Sequence, residues 1–437
     1  MFKTFFNALK VKDIRKKLLF TFWIMIIVRI GCQIPAPGID SAAVQTFLTS
    51  TLGDSFSFLN SITGGSFSNM SIFALNVTPY ITSSIIMQLL TIAIPALEEM
   101  HKDGEDGRKK IQKITRYLTV ALAMLEATGL VIGFSREGLL TSNSFFTCFV
   151  IVVVLAAGAC AVMWLGERIS ERGIGNGISI VLLINIVSRM PSDMSNLYVQ
   201  FVQGKEIVKA VAATLIIIFV IVVTTMLVIV LQGAERKIPV QYAKKTQGRR
   251  MVGGQATYIP IKVNTANVIP IIFAGSLLSV PSIIVNLFNI QTNDFWSKVL
   301  IGMNQNYWFN PSYPYAYIGL VVYLLLVIMF AYFYTSITFN PMEIANNMKK
   351  SGGFIPGIRP GKPTQDYLNK ILNYVVFIGV CGLIIIAVIP MFFNGRFGAN
   401  VSFGGTSLII IAGVIIETVK QIESMMLVRH YSGFLND

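Results

Sequence analysis

Residues 208–232 read VKAVAATLIIIFVIVVTTMLVIVLQ, and residues 210–231 within this stretch carry no charged side chain. An α-helix rises 1.5 Å per residue, so the run is long enough to cross the roughly 30 Å of hydrocarbon in a bilayer. The rest of the chain has the same character: 54% of its 437 residues are hydrophobic, only 13% are charged, and the mean hydropathy is +0.66. This composition excludes an ordinary soluble globular protein and predicts a polytopic membrane protein.

Further apolar runs of this kind predict an all-α fold with ten transmembrane helices. The ten spans lie near residues 18–34, 72–95, 116–134, 145–165, 177–190, 208–232, 268–289, 316–339, 371–393 and 406–425. The fifth is short for a full crossing. The first follows six Lys and Arg residues and therefore imitates a signal peptide, but it exits through CQIPAPGID without a convincing cleavage site. We expect it to be retained as a span.

Ten spans divide into an N-terminal half, residues 1–200, and a C-terminal half, residues 201–437. If the second half repeats the fold of the first, the odd number of spans inverts it and relates the halves by a pseudo-two-fold axis in the membrane plane. On one side of the predicted membrane the tails and loops hold 28 Lys and Arg residues, against six on the other. Because basic loops stay in the cytoplasm, both termini are predicted to be cytoplasmic, and the net charge of +14 is largely a consequence of topology.

Residues suited to metal or catalytic chemistry are scarce in this sequence. The cysteines Cys32, Cys148, Cys160 and Cys381 have neither metal-binding spacing nor a disulfide pattern, and both histidines fall outside the predicted spans. The sequence contains no GxxxxGK[ST] nucleotide loop. We therefore predict no enzyme activity, no metal and no cofactor. Glu126 is the one ionisable residue predicted deep in a span. It could serve a secondary transporter of a small solute, or it could only form a helix–helix hydrogen bond or snorkel toward the membrane surface.

The segment SFSFLNSITGGSFSNM, residues 55–70, is uncharged yet too short and too polar to cross a bilayer. Its apolar side consists of Phe56, Phe58, Leu59, Ile62 and Phe67. Gly64 and Gly65 make it pliable, and Ser71 could cap the span that follows. The segment could lie on the lipid surface or fold back into a cavity between spans. The residues alone favour the lipid surface, because interfacial amphipathic helices are common.

Two loops on the basic side are longer than the topology requires. Residues 233–266 include GAERKIPVQYAKKTQGRRMVGGQATYIPIK, which is basic with interleaved aromatic residues. Residues 340–370 include MKKSGGFIPGIRPGKPTQDYLNK, whose glycines and prolines present Arg359 at a tip. The loops are either topological anchors or a docking surface for a partner with phosphates or acidic groups.

A series of motifs runs through almost the whole chain. In chain order they are RIGCQIPAPGID, GGSFSNMSIFALNVTPYITSSIIMQLL, DGEDGRKKIQKITRY, ERGIGNGISI, GAERKIPVQYAKK with GRR, GGFIPGIRPGKPT and FGGTSL. Together they resemble the SecY family, the channel subunits of the bacterial Sec protein-translocation machinery. A lone GNGIS would be a weak signal, but the ordered series is specific.

The resemblance implies two inverted halves of five helices around an hourglass pore in the bacterial plasma membrane. Such a pore opens across the membrane for secretory polypeptides and sideways, between helices two, three, seven and eight, for signal sequences and other hydrophobic segments that enter membrane lipid. The resemblance also implies that residues 55–70 form a plug in the outer funnel rather than a helix on the lipid surface. Its expected plug residues are Phe58, Leu59, Ile62, Gly64, Gly65 and Phe67. A plug must leave an apolar seat for water repeatedly, so a charge would trap it in one state and a continuous apolar face in the other.

The resemblance further implies particular functional residues. The pore ring would consist of Val77, Ile81, Leu182, Ile186, Ile272 and Ile410, a dry aliphatic constriction of the kind that gates by dewetting. Val77 and Leu182 stand where some relatives carry Ile. The lateral gate would be flanked by Gln88, Ser276 and Val280. Docking would use Arg359 to engage the SecA motor ATPase, with help in seating SecA or the ribosome from Arg236, Lys244, Lys245, Arg249 and Arg250. The small subunits SecE and SecG are the remaining implied partners. The rival functions are the small-solute transporter and a docking scaffold without a pore.

Overall fold

The fold of this chain is mostly helical. A computed structural model describes residues 9–48, 63–242, 245–247, 250–252, 256–287, 293–397 and 405–433. Within these ranges, each of the ten predicted spans overlaps one long helix, and five short strands lie between the eighth and thirteenth helices.

The N-terminal half supplies the helices up to residue 201. They are α1 (Lys12–Gly31), α2 (Ser41–Phe47), α3 (Thr78–Ala93), α4 (Pro95–Lys102), α5 (Glu105–Arg136), α6 (Phe145–Arg172) and α7 (Gly177–Phe201). The C-terminal half supplies α8 (Ile207–Gly233), α9 (Ile269–Leu287), α10 (Asp294–Met303), α11 (Tyr317–Thr338), α12 (Pro341–Lys350), α13 (Lys362–Phe397) and α14 (Gly405–Gly433). The strands are β1 (Glu235–Tyr242), β2 (Lys245–Gln247), β3 (Arg250–Val252), β4 (Ala256–Lys262) and β5 (Gly353–Phe354).

The helices differ in how well each qualifies as a membrane span. Among the described residues, six helical segments are individually long and apolar enough to cross a membrane, and α3 with α4, bent by 104°, would make a seventh. Helix α1 illustrates why a predicted span can fall short: it begins at Lys12, so its first turns are basic and only its later part is apolar. The chain is thus a multi-pass membrane protein, and ten crossings stay a prediction.

Helix α7 is longer than its apolar run. The sequence predicts a span that ends near residue 190, but the helix continues through Pro191 to Phe201. Hydropathy reports the part of a helix that lies in hydrocarbon, whereas the backbone hydrogen bonds of a helix continue into polar surroundings.

The start of α3 corrects one prediction. Ser71 does not cap this helix; it forms an isolated bridge with Pro35, and the helix begins at Thr78. Between them, Asn76 adopts a left-handed φ of 50°, and its side chain accepts a hydrogen bond from the backbone N–H of Val77 at 2.9 Å. A left-handed residue is incompatible with a continuing right-handed helix, so α3 starts after it.

A three-stranded sheet joins the two long loops, a feature that we did not predict. Strand β1 pairs antiparallel with β4, from Glu235 opposite Lys262 to Gln241 opposite Ala256, and its other edge pairs with β5. Ile238 and Val240 on β1 are buried while their neighbours are exposed, the alternation expected of a half-buried strand. The buried face packs in a hydrophobic cluster with residues of α11, α12 and α13.

The largest hydrophobic cluster lies where the two halves meet. It contains residues from α1, α6 and α7 of the first half and from α8, α9, α11, α13 and α14 of the second. The main contact between the halves is that of α7 with α14, whereas the contacts of α7 with α8 and of α5 with α9 are sparse.

Candidate functional site

All six residues of the expected pore ring belong to this central cluster. Val77, Leu182, Ile186 and Ile410 are buried in it, and Ile81 and Ile272 are half-buried against it. They come from the start of α3, from α7, from α9 and from α14. Val77 and Ile81 are four residues apart, as are Leu182 and Ile186, so the members of each pair lie on one face of their helix. The structure therefore brings the six into one aliphatic region to which both halves contribute.

The described end of the expected plug segment, residues 63–70, lies directly against α7. Gly64 has a left-handed φ of 67°, and a Cβ there would lie 2.8 Å from the Cα of Asn185, which precedes Ile186. Arg29 donates from Nη1 to the carbonyl oxygen of Gly64 at 3.2 Å. Only glycine allows this backbone conformation and this close approach together. Gly64 thus fixes the end of the segment beside the aliphatic region.

The other expected plug residues are placed differently. Gly65 is the next left-handed residue, with φ 85°, and a Cβ there would lie 3.5 Å from Nη1 of Arg189. Phe67 packs against a separate hydrophobic cluster of the first half. Phe58, Leu59 and Ile62 lie outside the described residues.

Sequence reasoning missed two polar residues of α7 at this place. Asn185 is fully buried, and neither atom of its side-chain amide has a hydrogen-bond partner among the described residues. The buried Nε of Arg189, one helical turn further, has none within the described ranges either. Buried polar groups are normally paired, so these two are unusual members of the wall of α7 that faces Gly64 and Gly65. The available signal was an Asn in the middle of the apolar run VLLINIV.

The expected lateral-gate residues are only partly placed. Gln88 is exposed on α3, with its Nε2 3.5 Å from the Oγ of Ser84, and Ser276 is half-buried on α9. Val280 lies on α9 as well, but its side chain is outside the described ones. Gln88 also lines a cavity between the two halves.

A cavity of about 850 Å³ opens between the two halves at the sheet end of the helices. Its walls come from α3, α4 and α5 on one side and from α11 and α12 on the other. Its lining is mixed, with Glu98, His101, Arg108 and Glu343 among apolar and hydroxyl side chains.

One wall of the cavity is braced by a buried carboxylate. Glu167 of α6, whose side chain is 8% exposed, accepts hydrogen bonds from Nε of Arg116 at 2.8 Å and from Nε2 of Gln112 at 3.2 Å. Both donors are on α5. A buried carboxylate that is paired in this way holds two helices in register, since breaking the pair would leave a charge without a partner.

The expected docking residues lie at or near the sheet. Arg236 is exposed on β1, and Arg359 is exposed at the tip that follows β5. The tip is ordered by two left-handed glycines, Gly357 and Gly361, and by a hydrogen bond from the hydroxyl of Thr364 to the carbonyl oxygen of Arg359 at 2.8 Å. The sheet therefore connects the two loops that carry Arg236 and Arg359 into one platform.

The remaining basic residues of this set belong to the small hairpin of β2 and β3. Lys245 pairs opposite Val252, and Arg250 pairs opposite Gln247. Lys244 and Arg249 lie outside the described residues.

The base of the platform is tied to α14 by an ion pair. Nζ of Lys420 donates to Oε1 of Glu235 at 2.7 Å. This hydrogen bond from Lys420, with the positive charges of Lys420, Lys262 and Lys237, holds the pKa of the Glu235 carboxyl below its ordinary value despite an opposing effect of burial. The pair links the loop of residues 233–266 to the last helix.

The sequence matches the SecY family model over residues 71–419, well over half of the chain. The chain belongs to the SecY family. A SecY relative from Streptomyces scabiei, named protein translocase subunit SecY, is 46% identical over 459 aligned positions that cover 100% of both chains. The predicted resemblance is confirmed.

Two solved structures share the SecY fold at lower sequence identity. One is from a study of the plug domain of the SecY protein, which is said there to stabilise the closed state of the translocation channel and maintain a membrane seal. It has a TM-score of 0.60, is 18% identical and covers 94% of this chain and 92% of its own. The other is Sec61 in a canine ribosome–channel complex from the endoplasmic reticulum, with a TM-score of 0.60, 17% identity and the same coverage. The fold class is thus confirmed as that of the SecY and Sec61 channels.

Proposed function

We propose that this chain is the central subunit of a protein-conducting channel in the bacterial plasma membrane. It passes secretory polypeptides across the membrane and releases hydrophobic segments sideways into lipid. The observation that carries the proposal is the aliphatic region to which both halves contribute, with the Gly64 turn seated against it, in a chain of the SecY family.

The six aliphatic residues act as the seal. A constriction lined only by Val, Leu and Ile offers water and ions no hydrogen bond, so it dries and blocks them. The same surface gives a sliding peptide no polar group to bind, so the peptide is not retained. Residues 63–70, the described end of the plug, cover the aliphatic region in the closed channel and leave it when a polypeptide enters.

The cavity between the halves is the entry vestibule, and the platform of basic residues is its docking surface. SecA or a ribosome binds there, with Arg359 inserted toward the motor ATPase, and both termini lie on the same cytoplasmic side. SecE clamps the two halves, residues 1–200 and 201–437, and SecG lies alongside. The chain itself makes and breaks no covalent bond: the driving work comes from SecA, a translating ribosome and the membrane potential.

Lateral release takes place where the halves meet sparsely. Helices α5 and α9 make few contacts, in contrast to α7 and α14. Helices α7 and α14 then serve as the hinge, and α5 and α9 serve as the gate, which Gln88, Ser276 and Val280 flank.

The decisive experiment is reconstitution of the chain with SecE in vesicles, followed by ATP- and SecA-dependent import of an unfolded precursor. We expect protease-protected precursor only when both SecA and ATP are present. A folded, correctly inserted complex that imports nothing would refute the proposal. Glu126→Gln should import as the unaltered chain does, whereas a transporter that couples transport to this carboxyl would lose its activity.

A further inference from the structure

Helix α10 carries two exposed aromatic residues that the channel function leaves unexplained. Phe295 and Trp296 are 68% and 58% exposed, and their rings contact each other edge to face at 5.8 Å. The helix lies between α9 and α11, at the ends of those helices that are remote from the sheet. An exposed apolar patch marks a site of contact with a membrane or with another protein.

The other end of α10 is locked to α11. The indole N–H of Trp308, which is fully buried, donates to the carbonyl oxygen of Gly302 at 2.7 Å. The same indole packs against Tyr323 of α11 with ring centroids 5.0 Å apart. A Cβ at Gly319 would overlap the Gly302 carbonyl, so the backbones are in direct contact. Helix α10 therefore moves with α11, and it also contacts α9.

Helix α11, to which α10 is joined, has exposed apolar residues at its start. Ile318 and Val321, at the start of α11, are exposed and lie three residues apart on one face of a membrane-spanning helix. Lys298 is exposed one turn along α10 from Phe295. Trp at the level of the headgroups and Lys reaching toward phosphates are the usual anchors at a membrane surface.

We infer that α10 is an interfacial anchor, with Phe295 and Trp296 inserted into the boundary between lipid headgroups and acyl chains. Such helices bury their apolar face about 5–10 Å into that boundary. Because α10 is fixed to α11 and contacts α9, the anchor sets the depth of both helices in the bilayer. The partner is the lipid surface itself.

The test uses tryptophan fluorescence of the complete protein in vesicles, compared with the Trp296→Phe variant. The difference between the two emissions is the signal of Trp296, and phenylalanine keeps the aromatic surface. Vesicles contain lipids brominated either near the headgroup or near the end of the acyl chain, and acrylamide is added from the water in a parallel series. We expect most of the Trp296 signal to be lost with bromine near the headgroup, and less with bromine at the chain end or with acrylamide.

Trp164→Phe supplies the positive control, because Trp164 is 52% exposed on α6 and lies beside Arg168, whose guanidinium is 5.4 Å from the ring centroid. Its signal should show the same headgroup-proximal profile. Quenching of Trp296 mainly by acrylamide would place α10 in water, and quenching by neither agent would place it under another protein. Strongest quenching by chain-end bromine would place it in the acyl core. Each of these three results overturns the inference, and none depends on whether the chain conducts polypeptides.

Discussion

Replacing Ile410 with Asn tests the proposed seal directly. Ile410 is 6% exposed, so nearly all of its side chain is out of water. Burying an amide without a hydrogen bond costs about 1–3 kcal/mol, and the transfer energy of a buried Ile, about 1.5–3 kcal/mol, is lost as well. In the open channel this side chain still contacts some of its neighbours, so only part of these energies distinguishes the two states. We therefore take about 2 kcal/mol as the amount by which the substitution destabilises the closed channel relative to the open one. That raises the open fraction about 30-fold.

The assay is ion conductance across planar bilayers that contain the channel reconstituted with SecE. The matched control is Ile415→Asn: Ile415 lies on the same helix but is 47% exposed and five residues away, and therefore on another face. We expect Ile410→Asn to leak and Ile415→Asn to stay closed. Unchanged conductance of a folded Ile410→Asn channel, or an equal leak from both variants, would refute the assignment of the ring.

Three further predictions concern the plug, the docking tip and the platform. Gly64→Ala should raise ion leak more than Gly65→Ala, because both replacements pay about 1–2 kcal/mol for a left-handed φ but only the first also collides with the α7 backbone; equal conductance would contradict this. Arg359→Glu should abolish SecA-driven import while circular dichroism and insertion stay normal, and normal import would show that its role is wrong. Glu235→Gln should lower the free energy of unfolding at neutral pH by up to about 1 kcal/mol. Since Lys420 lowers the folded-state pKa of Glu235, the stabilisation by the ionised carboxylate is present above the ordinary carboxyl pKa and is lost as the pH falls through the lowered pKa. Thermal unfolding of both proteins at neutral and at acid pH checks this. A difference in stability that persists at acid pH would count against it.

Membrane character and the positions of the helices were predictable from the sequence because they depend on local properties. A run such as residues 210–231 is apolar whatever surrounds it, and each of the ten predicted spans falls on a helix. The family was predictable too, because its motifs are short and ordered along the chain. The end of α7 and the start of α3 were not predictable: α7 continues past its apolar run through Pro191, and the left-handed Asn76 delays the start of α3. Hydropathy measures neither backbone hydrogen bonding nor φ.

Tertiary structure alone decided which aliphatic side chains meet. Ile410 and Ile415 are the same residue type on the same helix, and only the packing of both halves buries one of them and exposes the other. It also decided that residues far apart, Gln241 and Phe354, share a sheet, and that Asn185 is buried beside Gly64. Hydropathy and charge act residue by residue along the chain, whereas a sealed constriction or a platform exists only once distant segments have been brought into contact.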